Sequence, residues 1–301
     1  MKDFEYFAPS TLEEALRLLD EKKESARLLA GGTDLIVQMK SGRVGPSSII
    51  DIKKVPELNR LEWDAAIGLF VGAAVPISRM NAFPPVASEY GLLYDACSLI
   101  GSFQLRNRAT MGGNICNAAP SADSAPPLLC LEARAVAACL NGTRAIPMTD
   151  FFVGPGKSAL AANELLVGME IPPPPGPASG SYMRHIPRQD MDIAVAGVAS
   201  FLVLSPVDGL CLEARISLGA VAPTPVRAPM AESVLVGTDL NSGVLEEAAY
   251  LASESAQPIS DTRGSEGYRK ELVRVLTRRT LAKAMSGIIG GGKVKMAEWM
   301  G

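Results

Sequence analysis

The chain has 301 residues, 48% of them hydrophobic and 20% charged, with a formal net charge of −3. That length supports two or three packed units, and that composition a globular chain rather than a disordered one. No basic block stands out, which argues against a nucleic-acid partner, and no apolar run reaches the ~20 residues that span a bilayer.

The opening Met1-Lys2-Asp3-Phe4-Glu5-Tyr6 has no apolar signal region, so a cytoplasmic location is expected. Ser10, with Glu13 three residues on, reads as a capping box, and Leu12, Ala15, Leu16 and Leu19 form one apolar helix face. Arg27-Leu28-Leu29-Ala30 reads as a short buried strand entering the paired-glycine turn Gly31-Gly32-Thr33-Asp34. A helix over 34–40 follows, stopped near Gly42, and then a strand over 48–52. The first 55 residues thus read as a small βαβ unit. Strand-like runs occupy 61–63 and 67–73, and 77–100 is mostly helical. Residues 102–108 read as an arginine-bearing loop into a second glycine pair, Thr110-Met111-Gly112-Gly113-Asn114. A small-residue loop over 117–127 holds Asp123, a hydrophobic helix or strand spans 128–139, and 164–171 is a strand.

The proline-rich stretch 172–177 marks a boundary. It divides the chain into domains 1–176 (subdomains 1–55 and 56–176) and 177–289, with a flexible tail over 290–301. In the second domain, 194–204 and 213–221 read as paired antiparallel strands. Residues 245–255 and 268–286 read as amphipathic helices, the latter with Leu272, Val275, Leu276 and Leu281 on its apolar side.

The five cysteines lie at wide, irregular spacings without a C-x-x-C, which excludes a zinc or iron–sulfur signature and leaves buried, reduced thiols. With a single histidine, His185, no multi-histidine metal site exists and a hydrolytic relay is poorly supported; chemistry here calls for a cofactor. Glycine lets backbone N–H groups approach a phosphate closely. One glycine pair is a weak signal, but two pairs, each with a hydroxyl beside it, point to one dinucleotide held from two sides. Arg106 and Arg108 can offset diphosphate charge, pair with a neighbouring chain or remain solvated. Asp123 can accept from ribose or ribityl hydroxyls, or cap a turn. Arg188 and Asp192 can form an ion pair, or a cation of that segment can face a flavin.

These residues, with Gln104-Leu105-Arg106-Asn107-Arg108-Ala109 leading into the second pair, resemble the FAD-binding medium subunit of molybdenum hydroxylases, the family of xanthine dehydrogenase and carbon monoxide dehydrogenase. The likeness extends through Pro120-Ser121-Ala122-Asp123, Leu218-Gly219-Ala220-Val221-Ala222-Pro223 and Tyr268-Arg269-Lys270. It implies an α+β chain: a two-subdomain FAD-binding domain of the vanillyl-alcohol-oxidase type, then a smaller α+β domain with an antiparallel sheet. By matching position, Leu29, Ala30, Gly31, Gly32, Thr33, Asp34 and Leu35 form one side of the FAD site, and Ala109, Thr110, Gly112, Gly113 and Asn114 the other. Asp123 meets the sugar-like part of the cofactor, Leu165 or Leu166 lies near the flavin, and Arg184 stands where many relatives carry lysine.

The resemblance further implies electron relay through FAD. The electrons pass between a small subunit with two 2Fe-2S clusters and an external acceptor, and the substrate chemistry lies on a molybdenum large subunit, in a dimer of heterotrimers. His185 lies outside both turns, so noncovalent FAD is expected; Cys116 is the one candidate for attachment. A cysteine-rich insertion is missing, which disfavours the 4-hydroxybenzoyl-CoA reductase type. Val75 replaces a threonine of relatives and cannot donate a hydrogen bond. A self-contained flavin oxidoreductase and a flavin-free scaffold are the alternatives.

Overall fold

The computed structural model describes residues 2–188 and 191–290. Residues 291–301, where most of the flexible tail is expected, lie outside the described part. Two compact units emerge, and neither is continuous in sequence. The first takes in the chain up to Pro84, Ile100–Ala119 and Glu132–Pro173; the second Pro85–Leu99, Pro120–Leu131 and the chain from Pro174 onward.

The first unit opens with β1 (Glu5–Phe7), α1 (Leu12–Lys22), β2 (Ala26–Leu29), α2 (Leu35–Lys40) and β3 (Ser48–Asp51). The strands form a three-stranded sheet in the order β1-β3-β2, with both pairings parallel. This is the expected βαβ unit with one short strand added at its edge. The capping box sits one residue later than expected. Thr11 Oγ1 accepts from the Glu14 N–H at 3.2 Å, and Glu14 Oε2 accepts from the Ser10 N–H at 2.9 Å. Ser10 with Glu13 and Thr11 with Glu14 fit the pattern equally; the register of the apolar face decides between them.

β4 (Leu61–Asp64), β5 (Gly68–Gly72) and α3 (Ile77–Asn81) complete the first stretch of this unit. The helical region that follows is broken into α4 (Pro84–Glu89), α5 (Gly91–Ser98), α6 (Phe103–Arg106) and α7 (Met111–Cys116). The expected loop over 102–108 therefore holds a helical turn, capped by Ser102. The ambiguous stretch 128–139 is both a helix and a strand: α8 (Ala125–Cys130), then β6 (Arg134–Cys139). β7 (Gly142–Pro147), α9 (Met148–Phe151), the small hairpin of β8 (Phe152–Gly154) and β9 (Lys157–Ser158), and β10 (Leu165–Ile171) follow. A five-stranded sheet runs β4-β5-β10-β6-β7, with every pairing antiparallel. Ala15, Leu16 and Leu19 of α1, Ile50 of β3, Ala138 of β6 and Leu165 of β10 meet in one apolar core that joins both sheets.

In the second unit, β11 (Ala178–His185), β12 (Ala196–Leu204), β13 (Cys211–Gly219) and β14 (Val226–Arg227) form an antiparallel sheet. β12 is buried along its whole length, as its run of apolar residues, interrupted only by Ser200, dictates. Its even-numbered residues face a core built with α10 (Pro229–Ser233), α11 (Ser242–Glu254) and α12 (Glu266–Gly290), while α5 and α8 also pack on the sheet. The buried face of α12 differs from the expected one. Val273, Leu276, Leu281, Ala284 and Ile288 are inside together with Thr277 and Thr280, and Leu272 and Val275 sit at its flank. Thr280 is paid for by a 2.7 Å hydrogen bond with Ser200. Arg269 is buried and donates to the Val195 and Ala220 carbonyls and to Asp261, which ties three loops to α12.

Candidate functional site

The first glycine arm leaves β2 through Ala30 and reaches α2 at Leu35. Gly32 has φ +76°, in the left-handed region, and a Cβ there would also lie 2.9 Å from Leu29 Cδ1. A Cβ on Gly31 would stand 2.1 Å from the Arg108 carbonyl oxygen and 2.9 Å from Ala109 Cα. Both glycines are therefore required by the backbone itself. Gly31 is where this arm lies against the chain entering the second. The N–H groups of Gly31, Gly32, Thr33 and Asp34 find no acceptor among the described residues. Asp34 occupies the N-cap position of α2 without making a capping bond. Burial raises its carboxyl above the ordinary value, although the residue as a whole stays exposed. Leu29, Ala30 and Leu35 are half-buried around the turn.

The second arm is a helix start rather than a turn. Thr110 caps α7, its Oγ1 accepting from the Gly113 N–H at 2.9 Å, and both glycines lie in the first helical turn. A Cβ on Gly112 would come 2.7 Å from Ala73 Cα and from the Ala73 carbonyl oxygen. On Gly113 it would meet only Thr110 Oγ1, at 3.1 Å. Of the four glycines, Gly113 alone has an ordinary φ and no neighbour nearer than 3.0 Å to an added Cβ. The Gly112 N–H has no acceptor among the described residues, while the Met111 N–H is engaged in the antiparallel bridge that joins Pro76 and Thr110. Asn114 donates its N–H to the Thr110 carbonyl. Ala109 is buried, and its carbonyl accepts from Ile77 at 2.9 Å.

Other predicted residues of this unit have clear places. Leu165 and Leu166 are buried in β10, opposite Ala138 and Ala137. Arg106 donates to the Ile100 carbonyl at 3.1 Å, so its charge serves the chain around it. Arg108 is exposed and lends its carbonyl to the contact with Gly31. Val75 is buried, as its apolar side chain requires.

In the second unit, Asp123 is buried with both oxygens engaged. Oδ1 accepts from the Tyr182 hydroxyl at 2.7 Å, and Oδ2 pairs with Arg184 Nη1. Burial pushes its carboxyl up, opposed by the Arg184 charge and by the hydrogen bonds from Tyr182 and Arg184. Tyr182 is pushed well above its ordinary value by burial and by the adjacent Asp123 charge. Arg184 also donates to the Leu99 carbonyl at 2.8 Å, at the end of α5. Its guanidinium thus joins a strand, a loop carboxylate and a helix terminus, a geometry that suits the forked donors of arginine and that one ammonium group fills less well.

Arg188 and Asp192 form an ion pair at 3.0 Å, one of the two roles the sequence leaves open for that segment. His185 Nε2 lies 3.1 Å from the Tyr268 hydroxyl. All five cysteines are free thiols, and burial pushes Cys116 up to about 12. Among the described residues no cluster of ligating side chains could hold a metal ion.

Two residues escaped the sequence reading. Gln38 of α2 donates from Nε2 to Oδ1 of Asn117, the residue that ends α7, at 3.1 Å across 79 positions. Nothing at either position marks it in a single sequence.

Residues 2–174 match the family described as the FAD binding domain in molybdopterin dehydrogenase, and residues 181–284 the CO dehydrogenase flavoprotein C-terminal domain. A xanthine dehydrogenase FAD-binding subunit of Escherichia coli is 34% identical over 297 residues, covering 98% of this chain and 100% of that protein. The carbon monoxide dehydrogenase medium chain of Hydrogenophaga pseudoflava is 32% identical over 281 residues, covering 93% and 96%. The solved carbon monoxide dehydrogenase from that organism, in a form lacking the Mo-pyranopterin moiety, superposes with a TM-score of 0.90 at 32% identity, covering 95% of this chain and 98% of that one. The chain belongs to the FAD-binding medium subunits of the molybdenum hydroxylases. It is thus an oxidoreductase subunit whose cofactor is FAD. Among the described residues no helix is long and apolar enough to cross a membrane.

Proposed function

We propose that the two glycine arms hold the FAD diphosphate and that the bound flavin relays electrons. One observation carries the site. The unengaged backbone donors of Gly31–Asp34 and the unengaged Gly112 N–H of the second arm are joined where Gly31 meets the Arg108 carbonyl. Backbone N–H groups grouped in this way suit a phosphate anion. Thr33 and Asn114 flank the donors, and Thr110 keeps the second arm in helical register. Leu29, Ala30, Leu35 and Ala109 shape the arms. Asp123, Leu165, Leu166 and Arg184 are assigned to the cofactor on family position alone. For Arg184 the role supported by its contacts is holding Asp123.

FAD supplies the exchange of electrons singly or in pairs. The chain's own task is to bind and orient it. In the proposed complex, a small subunit with two 2Fe-2S clusters delivers the electrons, a molybdenum large subunit carries the substrate chemistry, and an external acceptor takes the electrons away. A dimer of heterotrimers in the cytoplasm is the proposed assembly. Residues 1–176 form the proposed FAD-binding domain and 177–289 the second domain. Attachment is noncovalent: the Cys116 thiol, pushed up to about 12, holds little thiolate at neutral pH.

An absorbance spectrum before and after acid precipitation tests this. A flavin band that moves to the supernatant is expected, together with its loss in Gly113→Val. A colourless wild-type chain that takes up no added FAD would overturn the proposal. A Gly113→Val variant with full flavin content would overturn the site.

A further inference from the structure

We propose that the Gln38–Asn117 hydrogen bond fixes the angle between the two glycine arms, which makes both residues positioning residues for the cofactor diphosphate. This rests on the diphosphate site proposed above.

The arms touch through backbone at one end, where Gly31 lies against the Arg108 carbonyl. That approach lies before α2, and the buried Met39 seats the helix itself by packing, which is not directional. Gln38 lies seven positions past Gly31, near the far end of α2, and Asn117 ends α7, nine positions past Arg108. Their 3.1 Å bond is a second point of contact between the same two segments. Two contacts set the relative direction of α2 and α7, and with it the direction of the N–H groups that precede each helix.

Asn117 is itself held. Its N–H donates to the carbonyls of Gly113 and Ile115. The next residue, Ala118, has φ +46°, and its carbonyl accepts from Gly156 at 2.9 Å. The partner of Gln38 is therefore anchored to the rest of the unit, and the bond orients α2 against a fixed frame. Donors aimed beforehand at one anion bind it more tightly than donors that must first be ordered. Both side chains are half-buried, so water can replace the bond in the free chain with little loss of stability. The effect is expected in cofactor affinity.

The test uses the full chain stripped of flavin and titrated with FAD by fluorescence quenching. Gln38→Met, Asn117→Leu and the double variant are compared, with thermal unfolding of each flavin-free chain measured alongside. Each single variant is expected to bind FAD about fivefold more weakly, the equivalent of one neutral hydrogen bond. The double variant is expected to bind no more weakly than either single one, since all three lose the same bond. Wild-type affinity in either single variant overturns the proposal, as do losses that multiply in the double variant. A fall in melting temperature with unchanged affinity also overturns it, by assigning the bond to stability alone. Gly113→Val separates the two levels. Full FAD uptake there removes the site reading itself, whereas lost uptake there with normal binding in the Gln38 and Asn117 variants removes only the positioning role.

Discussion

The two glycine pairs look alike in sequence and are built differently. In the first arm the glycines serve the backbone: Gly31 admits a neighbouring carbonyl, and Gly32 takes a left-handed turn. The helix behind them starts without a side-chain cap. In the second arm the glycines are helical, the cap is made by Thr110, and only Gly112 is pinned by close packing. The first arm therefore offers more free donors on a backbone that tolerates no side chain. The second offers fewer donors in a capped frame, with one glycine that packs only against the capping hydroxyl. A shared motif does not mean that each glycine has the same reason to be there.

The widest separation between the arms is expected from adding the same side chain to each. Gly31→Val forces a carbon into the Arg108 carbonyl, and the backbone must move. About 3 kcal/mol or more of stability is expected to be lost in denaturant unfolding of the flavin-free chain. Gly113→Val meets only the Thr110 hydroxyl, at 3.1 Å, and helix propensity slightly favours it, so a loss of about 1 kcal/mol or less is expected, with flavin retention as the larger casualty. Equal unfolding losses would erase the distinction between the arms. Gly32→Ala falls between the two. The left-handed conformation and the contact with Leu29 together are expected to cost about 1–2 kcal/mol.

Capping gives a smaller contrast. Thr110→Val removes the acceptor for the Gly113 N–H while keeping the shape of the side chain, and should cost about 1 kcal/mol. Asp34→Ala removes no capping bond and should cost much less. If the two substitutions prove equally damaging, Asp34 caps α2 in solution and the arms are more alike than their hydrogen bonds indicate.

Much of this organisation was legible in the sequence because it is local. The strand, glycine turn and helix of the first arm follow from Leu28-Leu29 before Gly31 and the apolar residues after Asp34. The β12–β13 pair follows from one mostly apolar run and one alternating run, and the FAD cofactor from motifs whose order along the chain is specific. What stayed hidden depends on partners distant in sequence or on propensity being overridden. Two glycines argue against a helix, yet Gly112 is helical because α7 must lie close to Ala73. Leu128–Cys139 could not be divided by hydrophobicity alone, since α8 and β6 are both buried and apolar. Arg184 is assigned to the cofactor on family position alone, and its pairing with Asp123, 61 positions away, has no local mark. Gln38 and Asn117 carry no local mark at all.

The smallest expected effect concerns the charge of the first arm. Burial raises the Asp34 carboxyl from its ordinary 3.8. The folded chain therefore holds this proton more firmly than the unfolded one, and protonation favours the fold. The contribution is fully present below 3.8 and is lost as pH rises through the folded value, the reverse of a carboxylate held by a cation. Above that window Asp34 is an anion beside the donors proposed to receive another anion. FAD binding by the wild type should weaken across the same window, and Asp34→Asn should remove that part of the pH dependence. At neutral pH the variant is expected to bind FAD roughly twofold to fivefold more tightly, a size suited to one well-solvated charge near another. The comparison is the difference in FAD affinity between wild type and Asp34→Asn from about pH 4 to about pH 7, which cancels titrations common to both chains. Weaker binding by the variant at neutral pH would mean that the Asp34 carboxylate accepts a hydrogen bond from the cofactor. The uncapped arm would then owe its missing cap to that contact, and the difference between the arms would lie in what each offers the ligand.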